Sequence, residues 1–593
     1  MIQQEGGDQE KFFITEILLS TKKSAYKALI TTALLVLLLA SCEQPPGGIP
    51  ETNDGDNLVY PDGVIHVSSS ADMAKIGADP AYPRTGTYLL TNDITLTDWT
   101  PIGDAAKPFY GVFNGNEKTI TLNGFNNAAL SGKAYLGIFG YVKGTPSRKA
   151  EIKNLMIVSS VHAESNMAAG QAVGLTAGCA ELAEIDNVTL SGNFVFKSEK
   201  TAYAGGIAGH IKGNGTVVKN CSGSMMIDAK AGFGSPLVPG MANSFSFVGG
   251  FIGLFTNASE INNCHNSGDV TAISDHISAA TQVITGGIAG GSFYGQSAVF
   301  QGYICDSSST GNITVGARGS WPMAGGITGV ICGGNGTKEN STRIERCFAA
   351  GTITVADVLD PTNKNQWPYT GGIAGYVYYG GWVSRCYFNG RVIVTRTNDY
   401  SGGIAGYSSW AAGGSAGRVC VIEDCWSDGE VIGYNNAGGI VGQNQQNTLL
   451  RRCYSLMDIS VVNGGVSTAA QWGIGGIAGS HASTLSNAME ACVAMNSSIR
   501  TPKGDEIHRI TGGTRGAPVM TNVYALPDLL PVTDDPDKSY AADKGADKPD
   551  GMDIPVRYLA GNKPTPAFYE SIGWDFVNVW KMGADGYPKL QWQ

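Results

Sequence analysis

Gly371-Gly372-Ile373-Ala374-Gly375 is one copy of the pentapeptide that decides the fold of this chain. Its pattern is Gly-Gly-(Ile/Phe)-x-Gly, and eight good copies lie at residues 205–209, 249–253, 286–290, 325–329, 371–375, 402–406, 438–442 and 475–479. Degenerate copies lie at 137–140, 174–178 and 512–516, and neighbouring copies are separated by about 38 residues. A period of this length indicates repeated units that stack to bury a shared core.

Each period also carries strand signals. The glycine motif is followed by an apolar-x-x-Cys element such as Ile344-Glu345-Arg346-Cys347, and then by an alternating β-branched run such as residues 351–355. Alternation with a period of two, punctuated by glycine, predicts strand, turn and strand. The glycine pair is expected to let the backbone turn a corner or approach the next coil closely.

The predicted fold class is all-β. We expect a parallel β-solenoid (β-helix) of about ten Gly-rich coils with N- and C-terminal caps, since short strands in each repeat can bury an apolar face only by stacking. A β-propeller is the alternative, because a four-stranded blade has a similar length. Loop lengths that vary while the glycines stay in phase favour the solenoid.

The composition excludes several classes of protein. The 593 residues include 82 glycines, only 15% are charged, and the formal net charge is −10. An ordinary helical enzyme has about half this share of glycine. The sequence has no block of basic residues to neutralise phosphate groups, so no nucleic-acid partner is predicted.

The N-terminus carries an export signal. Lys22, Lys23 and Lys27 precede an apolar run over residues 28–40, which leads into Ser41-Cys42. This arrangement resembles a bacterial lipoprotein signal, which implies that Cys42 is lipidated; a short transmembrane anchor is the alternative. The acidic, Pro- and Gly-rich segment that follows is similar to signals that send Bacteroides-type lipoproteins to the outer face of the outer membrane. We therefore expect a lipid-anchored outer-membrane protein that faces the cell exterior.

Five regions are predicted along the chain. They are a lipoprotein signal peptide at 1–42, an acidic flexible tether at 43–60, an N-terminal cap at 61–145, the β-solenoid at 146–520, and a linker with a C-terminal cap at 521–593. The acidic run between Asp534 and Asp553 is predicted to be a solvated linker, since it lacks the spacing of an EF-hand calcium loop.

The repeated motif is similar to the GLUG repeat, a Gly-rich module of bacterial surface proteins and of zinc-dependent IgA-specific metalloendopeptidases. The match covers about residues 130–520, and the flanking segments 88–94 and 573–576 resemble its usual neighbours. The resemblance implies a surface scaffold and brings no ligand or catalytic residue with it. The zinc site of those endopeptidases needs a His-Glu-x-x-His motif, which none of the seven histidines forms. No protease activity, metal or cofactor is predicted.

Cysteines recur in phase with the repeat. Eight of the 12 occupy the same position of the motif: Cys221, Cys264, Cys305, Cys347, Cys386, Cys425, Cys453 and Cys492. Stacked coils would bring them into one column, at Cα separations that disulfides tolerate. The odd number left after Cys42, and the lack of a partner within each coil, favour small buried thiols.

Aromatic residues are concentrated between Trp367 and Tyr434. Flat rings with polar edges on an exposed face can stack on sugars or anchor a protein partner. The predicted ligand-binding candidates are the glycine-flanked Tyr378, Tyr379, Trp382 and Trp410, which we expect to be exposed. Packing at the corners of the coils is the alternative for the other aromatic residues.

The predicted function is a non-catalytic adhesin or ligand-binding scaffold at the cell surface. Its expected partners are the membrane, through the lipid on Cys42, and a glycan or a host protein. The alternative is a polysaccharide-cleaving enzyme on a β-helix, with Glu423 and Asp424 among its acidic candidates. No second acidic cluster lies in phase one coil away, so these carboxylates are predicted to be solvated.

Overall fold

The structure is a computed structural model that describes residues 62–593 apart from short segments. Those segments are 166, 168, 233–244, 277–281, 293–299, 319–320, 335–336, 357–366, 396–397, 410–417, 464–472, 484, 486–487, 503–506, 515–518, 537–539 and 541. The predicted signal peptide, Cys42, the tether and Trp410 therefore lie outside the described residues.

Strands from successive repeats stack in parallel into three long sheets, and the predicted parallel β-solenoid is confirmed. Sheet 1 has 31 strands, and sheets 2 and 3 have 11 strands each. Tyr369, for example, pairs in parallel with Tyr400 of the next coil in sheet 2, and Ala374 pairs with Ala405 in sheet 3. Sheets that run continuously through all the repeats exclude the propeller, whose blades are separate sheets.

Sheets 2 and 3 are joined by the glycine motif. The strands of sheet 2 are Tyr135–Leu136, Gln171–Gly174, Ala202–Gly205, Phe245–Gly249, Gln282–Gly286, Met323–Gly325, Tyr369–Gly371, Tyr400–Gly402, Ala437–Gly438, Ile474–Gly475 and Ile507–His508. The strands of sheet 3 are Phe139–Lys143, Ala177–Glu181, Ala208–Lys212, Ile252–Thr256, Ala289–Ser292, Thr328–Cys332, Ala374–Tyr378, Ala405–Ser409, Val441–Gln445, Ala478–Ala482 and Thr511–Thr514.

Sheet 1 receives two or three strands from most coils. Its strands are Ile65–Val67, Thr87–Leu90, Ile94–Leu96, Val112–Leu122, Ala150–Ser165, Ala183–Ser198, Val217–Lys219, Ser222–Gly223, Met226–Lys230, Ser259–Asn262, His265–Asn266, Val270–Ser274, Gly302–Cys305, Ser308–Ser309, Ile313–Ala317, Arg343–Glu345, Phe348–Val355, Trp382–Ser384, Tyr387–Ile393, Cys420–Glu423, Trp426–Gly433, Thr448–Arg451, Tyr454–Ser455, Asp458–Val461, Met489–Glu490, Val493–Ala494, Ile499–Thr501, Met520–Thr521, Tyr524–Ala525, Val532–Thr533 and Met552–Asp553.

Few other elements are present in the described residues. Three short helices occur, α1 (Ser70–Lys75), α2 (Asn127–Gly132) and α3 (Pro566–Ser571), together with single 3₁₀ turns at Lys338–Asn340 and Val556–Tyr558. Two antiparallel hairpins pair Leu559–Ala560 with Lys563–Pro564 and Trp580–Met582 with Pro588–Leu590. The core of the solenoid is a continuous column of alternate side chains such as Ile373, Val377 and Val383, all fully buried.

The glycine pair is required for close approach between coils. A Cβ atom on Gly372 would lie within 3.0 Å of the carbonyl oxygen of Gly403 in the next coil and of the Phe388 ring. The second glycine of every good copy, from Gly206 to Gly476, meets the next coil in the same way. None of these second glycines has a positive φ, so the requirement is for space and not for backbone conformation.

The cysteines form a column beside a sharp turn in sheet 1. The register stacks Cys221 on Cys264, but it pairs Cys305 with Asn262, so Ser307 takes the place opposite Cys264. The prediction that Cys305 shares the column is therefore wrong, and Ser307 Oγ accepts a hydrogen bond from the Cys264 amide at 3.1 Å. Later coils continue the column with Cys347, Cys386, Cys425, Cys453 and Cys492.

The residue before this column is left-handed in eleven successive coils. Its φ lies between 51° and 55° at Asn154, Asn187, Asn220, Asn263, Asp306, Arg346, Arg385, Asp424, Arg452, Ala491 and Asn522. Asparagine tolerates this conformation better than most residues. The Asn side chains also link the coils, since Asn263 Nδ2 donates to Asn220 Oδ1 at 2.7 Å.

Both ends of the stack differ from their predictions. Parallel pairing already begins at Ile65–Val67 with Thr87–Leu90, within the region expected to be only a cap. At the other end Gly475 pairs with His508, so the last copy of the motif begins at 508, not 512, and Arg509 replaces the second glycine. The Pro549 carbonyl accepts hydrogen bonds from the Ile510 and Thr511 amides at 2.9 and 3.1 Å. Part of the acidic run predicted to be a linker therefore covers the last coil.

Candidate functional site

The three aromatic candidates that the structure describes do not form an exposed binding face. Tyr378, Tyr379 and Trp382 are only 7%, 6% and 9% exposed. The expectation of exposure is therefore wrong for these three residues, and Trp410 lies outside the described residues. Their rings are covered because neighbouring coils supply aromatic and charged partners at a spacing of about 4.8 Å.

Trp382 is a hydrogen-bond donor to a buried carboxylate. Its indole Nε1 donates to Glu423 Oε1 at 3.0 Å, one coil away. Arg451 and Arg452 each donate to Glu423 Oε2 at 2.8 Å. Burial would raise the pKa of Glu423, but the two guanidinium groups and the indole hold it below its usual value. Trp382 thus belongs to a structural ion-pair network and is not placed to stack on a sugar.

The same network occupies Asp424, and this corrects its predicted solvation. Arg452 Nε and Nη2 donate to the two Asp424 oxygens at 2.7 and 2.9 Å. The side chains of Glu423 and Asp424 are 8% and 7% exposed. Two carboxylates that already accept these hydrogen bonds are not free to act as the general acid and base of a glycosidase.

Tyr378 and Tyr379 belong to a cluster of tyrosines on the outer side of sheets 2 and 3. Ring centroids within the cluster are 4.8 to 5.6 Å apart for neighbouring pairs of Tyr369, Tyr376, Tyr378, Tyr400 and Tyr407. The Arg418 guanidinium lies 4.5 Å from the Tyr379 ring centroid. Burial raises the pKa of Tyr378 to about 12. The Tyr378 phenol therefore stays neutral, and the rings of the cluster pack against one another.

A second group of aromatic rings stacks along sheet 1, directly after the cysteine column. We call it the aromatic ladder, and its members are Phe348, Tyr387, Trp426 and Tyr454. Successive ring centroids are 5.1, 4.8 and 5.8 Å apart, with interplanar angles of 7°, 3° and 5°. In the N-terminal coils the same position holds Thr189, Ser222, His265 and Ser308.

Residues 554–593, the C-terminal module, cover most of the aromatic ladder. Trp592 Nε1 donates to the Arg385 carbonyl at 3.1 Å, and its ring lies 5.6 Å from that of Tyr387. Trp574 Nε1 donates to the Ala491 carbonyl at 3.0 Å, and the Tyr454 hydroxyl donates to the Pro588 carbonyl. The predicted C-terminal cap therefore lies against the side of sheet 1, because the ladder is an apolar stripe that needs burial.

Where the ladder ends, the same outer face becomes polar and uncovered. A shallow groove of about 380 Å³ is lined by Thr189, Ser191, Ser222, Ser224, His265, Ser267, Ser308 and Thr310, with Leu190, Gly223 and Asn266 between the two rows. We call it the hydroxyl groove. No Asp, Glu, Lys or Arg is among its described lining residues. It is bounded by half-buried Phe348 on one side and by exposed Met156 and Val158 on the other.

Hydrogen bonds fix the one imidazole in the hydroxyl groove. His265 Nδ1 lies 2.8 Å from Ser308 Oγ, and Nε2 lies 3.0 Å from Asn263 Oδ1. The two rows of side chains repeat with the coil spacing of about 4.8 Å. The groove therefore presents a regular array of hydrogen-bonding groups, seven hydroxyl groups and one imidazole, that runs along the solenoid axis.

Sequence reasoning missed this groove, although its signal is visible. The first and third residues after the cysteine column are both polar in four consecutive coils, as in Ser222-Gly223-Ser224 and Ser308-Ser309-Thr310. Elsewhere one of these positions or both carry large apolar side chains. The search for flat aromatic rings drew attention to positions that the fold buries.

The described residues offer no site for a metal ion, since they contain no cluster of three or more His, Cys, Asp or Glu with suitable geometry. Within the same residues, no helix has the length and apolar character needed to cross a bilayer. The buried histidines are structural. His210 Nε2 is 2.9 Å from Thr256 Oγ1, and burial lowers its pKa to about 3, so the ring is neutral at physiological pH.

The buried cysteines allow a prediction about thiol content. All eleven described cysteines are unpaired and buried, and Cys347 Sγ donates to the Glu345 carbonyl at 3.4 Å. Burial raises the pKa of Cys221 and Cys347 well above the usual value. Burial would also raise the pKa of Cys386 and Cys453, but hydrogen bonds with neighbouring thiols hold it below the usual value, so the protection that all eleven share is their burial. We expect no reaction with a thiol reagent at pH 8 in the native protein and eleven thiols in guanidinium without reductant. A denatured value two or more below this would show a disulfide, and a twelfth thiol in the processed protein would show that Cys42 is not lipidated.

Comparison with known proteins adds little to this picture. No model of a protein family matches the chain, and no curated protein matches it. A solved structure of a candidate immunoglobulin A1 protease from Bacteroides ovatus is similar over 89% of this chain and 92% of its own, at 13% identity and a TM-score of 0.19. A likeness this low carries no argument about function.

Proposed function

We propose that this protein is a lipid-anchored, non-catalytic surface scaffold that binds neutral glycans along the hydroxyl groove. One observation carries the proposal: the outer face of sheet 1, apolar and covered over the aromatic ladder, becomes polar over four consecutive coils, where every side chain of the two rows except Ser308 is exposed or half-exposed. Hydroxyl groups both donate and accept hydrogen bonds, as sugar hydroxyls do. The absence of charged side chains from the described lining favours a neutral ligand.

The direction of the groove suggests the shape of the ligand. Two parallel rows of polar side chains, which are hydroxyl groups at every position except His265, run along the solenoid axis, so an extended chain lying along this axis would meet a similar set of groups at each coil. Phe348 at the end of the groove offers one aromatic edge to such a chain. We therefore propose a linear glycan and not a single sugar as the ligand.

The N-terminal sequence supports a place at the cell surface. The lipoprotein-like segment ending in Cys42 would anchor the protein in the outer membrane, and the acidic tether would hold the solenoid away from the lipid. A non-catalytic role is supported by Glu423 and Asp424, whose oxygens are occupied by arginines. Binding to a host protein is the other outcome that the experiment below can reveal.

The test is a neutral-glycan array probed with the full mature chain and with a variant that fills the groove. Ser224 and Ser267 are exposed, so the double variant Ser224→Tyr with Ser267→Tyr places two rings over the floor without disturbing the core. We expect at least about a tenfold loss of glycan binding, because the rings exclude the chain from both rows. The control is Ser160→Tyr, at an exposed position of sheet 1 outside the groove, which should bind normally.

Three results would contradict the proposal. They are the absence of binding to any neutral glycan, binding that the double variant leaves unchanged, and release of new reducing ends from a bound glycan. The last would show catalysis. Binding only to host-matrix proteins, abolished by the double variant, would keep the groove as the site and replace the ligand class.

A further inference from the structure

A second concave site lies at the N-terminal end of the solenoid, separate from the hydroxyl groove. It has a volume of about 710 Å³ and is enclosed by α1 with the turn after it, by the strand Ile94–Leu96, and by the segment 98–104. No residue of the hydroxyl groove lines it. A cavity of this size is typical of a site for a small molecule.

Two cationic side chains stand at one edge of this N-terminal pocket. Arg84 Nη1 donates to the Pro108 carbonyl at 3.2 Å, which holds the guanidinium beside the residue that follows Lys107. The Arg84 stem packs against Gly77, where an added Cβ would lie within 3.0 Å of its Cγ. The Lys107 ammonium group has no ion pair or hydrogen-bond partner among the described residues. Arg84 is thus fixed in place, and Lys107 is available to a ligand.

One carboxylate of the pocket is also available. Asp98 has no hydrogen bond or ion pair within the part of the chain that the structure describes, and its φ of 48° is left-handed. Asp104 is already engaged, because Oδ1 accepts from the Ala106 and Lys107 amides at 3.0 and 2.9 Å, and Lys133 Nζ lies 3.9 Å from Oδ2.

The remaining lining is apolar or carries hydroxyl groups. Ala71, Ala74 and Trp99 supply carbon surface, and the Trp99 indole N–H is occupied by the Ile138 carbonyl at 2.9 Å. The exposed Thr95 and Thr97 supply hydroxyls. The pocket therefore combines an apolar wall, hydroxyl groups, two cations at one edge and one unpaired carboxylate.

We propose that the N-terminal pocket binds a sugar acid. The carboxylate of the ligand pairs with Lys107 and Arg84, its ring hydroxyls donate to Asp98, and its carbon face lies against Trp99 and the alanines of α1. Arginine and lysine are the usual partners of a carboxylate, and the Asp98 oxygens, which are open to solvent in the free protein, can accept hydrogen bonds from the hydroxyl groups of a ligand. Neither a neutral sugar nor a simple carboxylate would use all three features.

The test measures binding of D-glucuronate, D-glucose and acetate to the full mature chain by ligand-observed NMR. We expect D-glucuronate to bind in the millimolar range and the other two to bind at least about tenfold more weakly. Lys107→Gln should weaken the binding of D-glucuronate at least about tenfold. It should also remove most of the salt dependence of binding. Asp98→Ala should bring the affinity for D-glucuronate close to that for acetate, because the acceptor for the hydroxyl groups of the ligand is removed.

Lys230→Gln is the matched control, because Lys230 is exposed on sheet 1 and lies outside the N-terminal pocket. It should leave D-glucuronate binding unchanged. Equal binding of D-glucuronate and D-glucose would overturn the proposal, as would equal binding of D-glucuronate and acetate or a Lys107→Gln variant with unchanged affinity. Lys107 and Asp98 are both exposed, so their substitution is not expected to disturb folding.

Discussion

Gly372→Ala is expected to prevent the solenoid from folding correctly. The added methyl group would lie within 3.0 Å of the Gly403 carbonyl oxygen and of two atoms of the Phe388 ring. The carbonyl belongs to the backbone of the next coil, so relief requires the two coils to move apart. That movement would break the parallel pairing of Gly371 with Gly402. We expect a loss of at least about 4 kcal/mol in the free energy of unfolding, which only a few kinds of substitution cause.

The measurement is urea unfolding followed by circular dichroism, together with the soluble yield. Gly132→Ala is the matched control, because nothing lies within 4 Å of a Cβ at Gly132, at the end of α2. It should be neutral or slightly stabilising, since alanine reduces the freedom of the unfolded chain. A Gly372→Ala protein that unfolds at the same urea concentration as the Gly132→Ala protein would show that the coils are not in close contact.

The architecture could be predicted from the sequence because its requirement is local and repeated. Each corner needs a residue without a Cβ, so glycine recurs about every 38 residues and marks each coil. The column position of most cysteines follows from the same period. The prediction that Cys305 lies in the column failed because the motif around it is shifted by two residues. Only the register of the strands shows that Ser307 is the residue in phase.

The candidate site could not be predicted in the same way. A period of two tells which side chains point outward, but not which outward positions another segment covers. The aromatic ladder and the hydroxyl groove occupy the same column, and they differ because a segment more than 100 residues later packs on one and not on the other. Tyr378, Tyr379 and Trp382 were expected to be exposed for the same reason, since their covering partners belong to other coils or to distant loops.

The end of the stack shows how a substitution within the repeat can be informative. His508-Arg509 replaces the glycine pair where no further coil follows, so a large side chain has space that earlier coils lack. Arg509 is fully buried, and Nη1 donates to Asp553 Oδ1 at 2.7 Å while Nε donates to the Asp550 carbonyl at 2.9 Å. Asp550, also fully buried, accepts from the Arg509 amide at 2.9 Å and from the Tyr540 hydroxyl at 2.6 Å. Six of the seven aspartates between Asp534 and Asp553 lie in the described residues, and two of them, Asp550 and Asp553, accept hydrogen bonds from Arg509.

Arg509→Met is expected to destabilise this end of the solenoid by about 3 to 5 kcal/mol, because it removes the guanidinium from a buried network and takes away the donor to the Asp550 and Gly551 carbonyls. Arg500→Met is the matched control. Arg500 pairs with Asp534 at 3.6 Å, but both side chains are more than half exposed, so its loss should cost at most about 1 kcal/mol. Urea unfolding measures the difference, and light scattering tests whether the uncapped end associates. Equal effects of the two substitutions would show that the cap does not depend on Arg509.

The same cap should make the protein sensitive to acid. Burial would raise the pKa of Asp550, but hydrogen bonds from His508, Tyr540 and the backbone amides of Arg509 and Asp543 hold it below the usual value. A carboxyl group whose pKa is lowered by folding contributes stability above its unfolded pKa of about 3.9 and loses it as the pH falls through the folded value. We therefore expect the free energy of unfolding to fall progressively below about pH 5. Asp550→Asn should be less stable at pH 7 and should lose less on acidification, because it has no proton to take up at this position. A wild-type and an Asp550→Asn protein that lose stability in parallel would place the acid-sensitive group elsewhere.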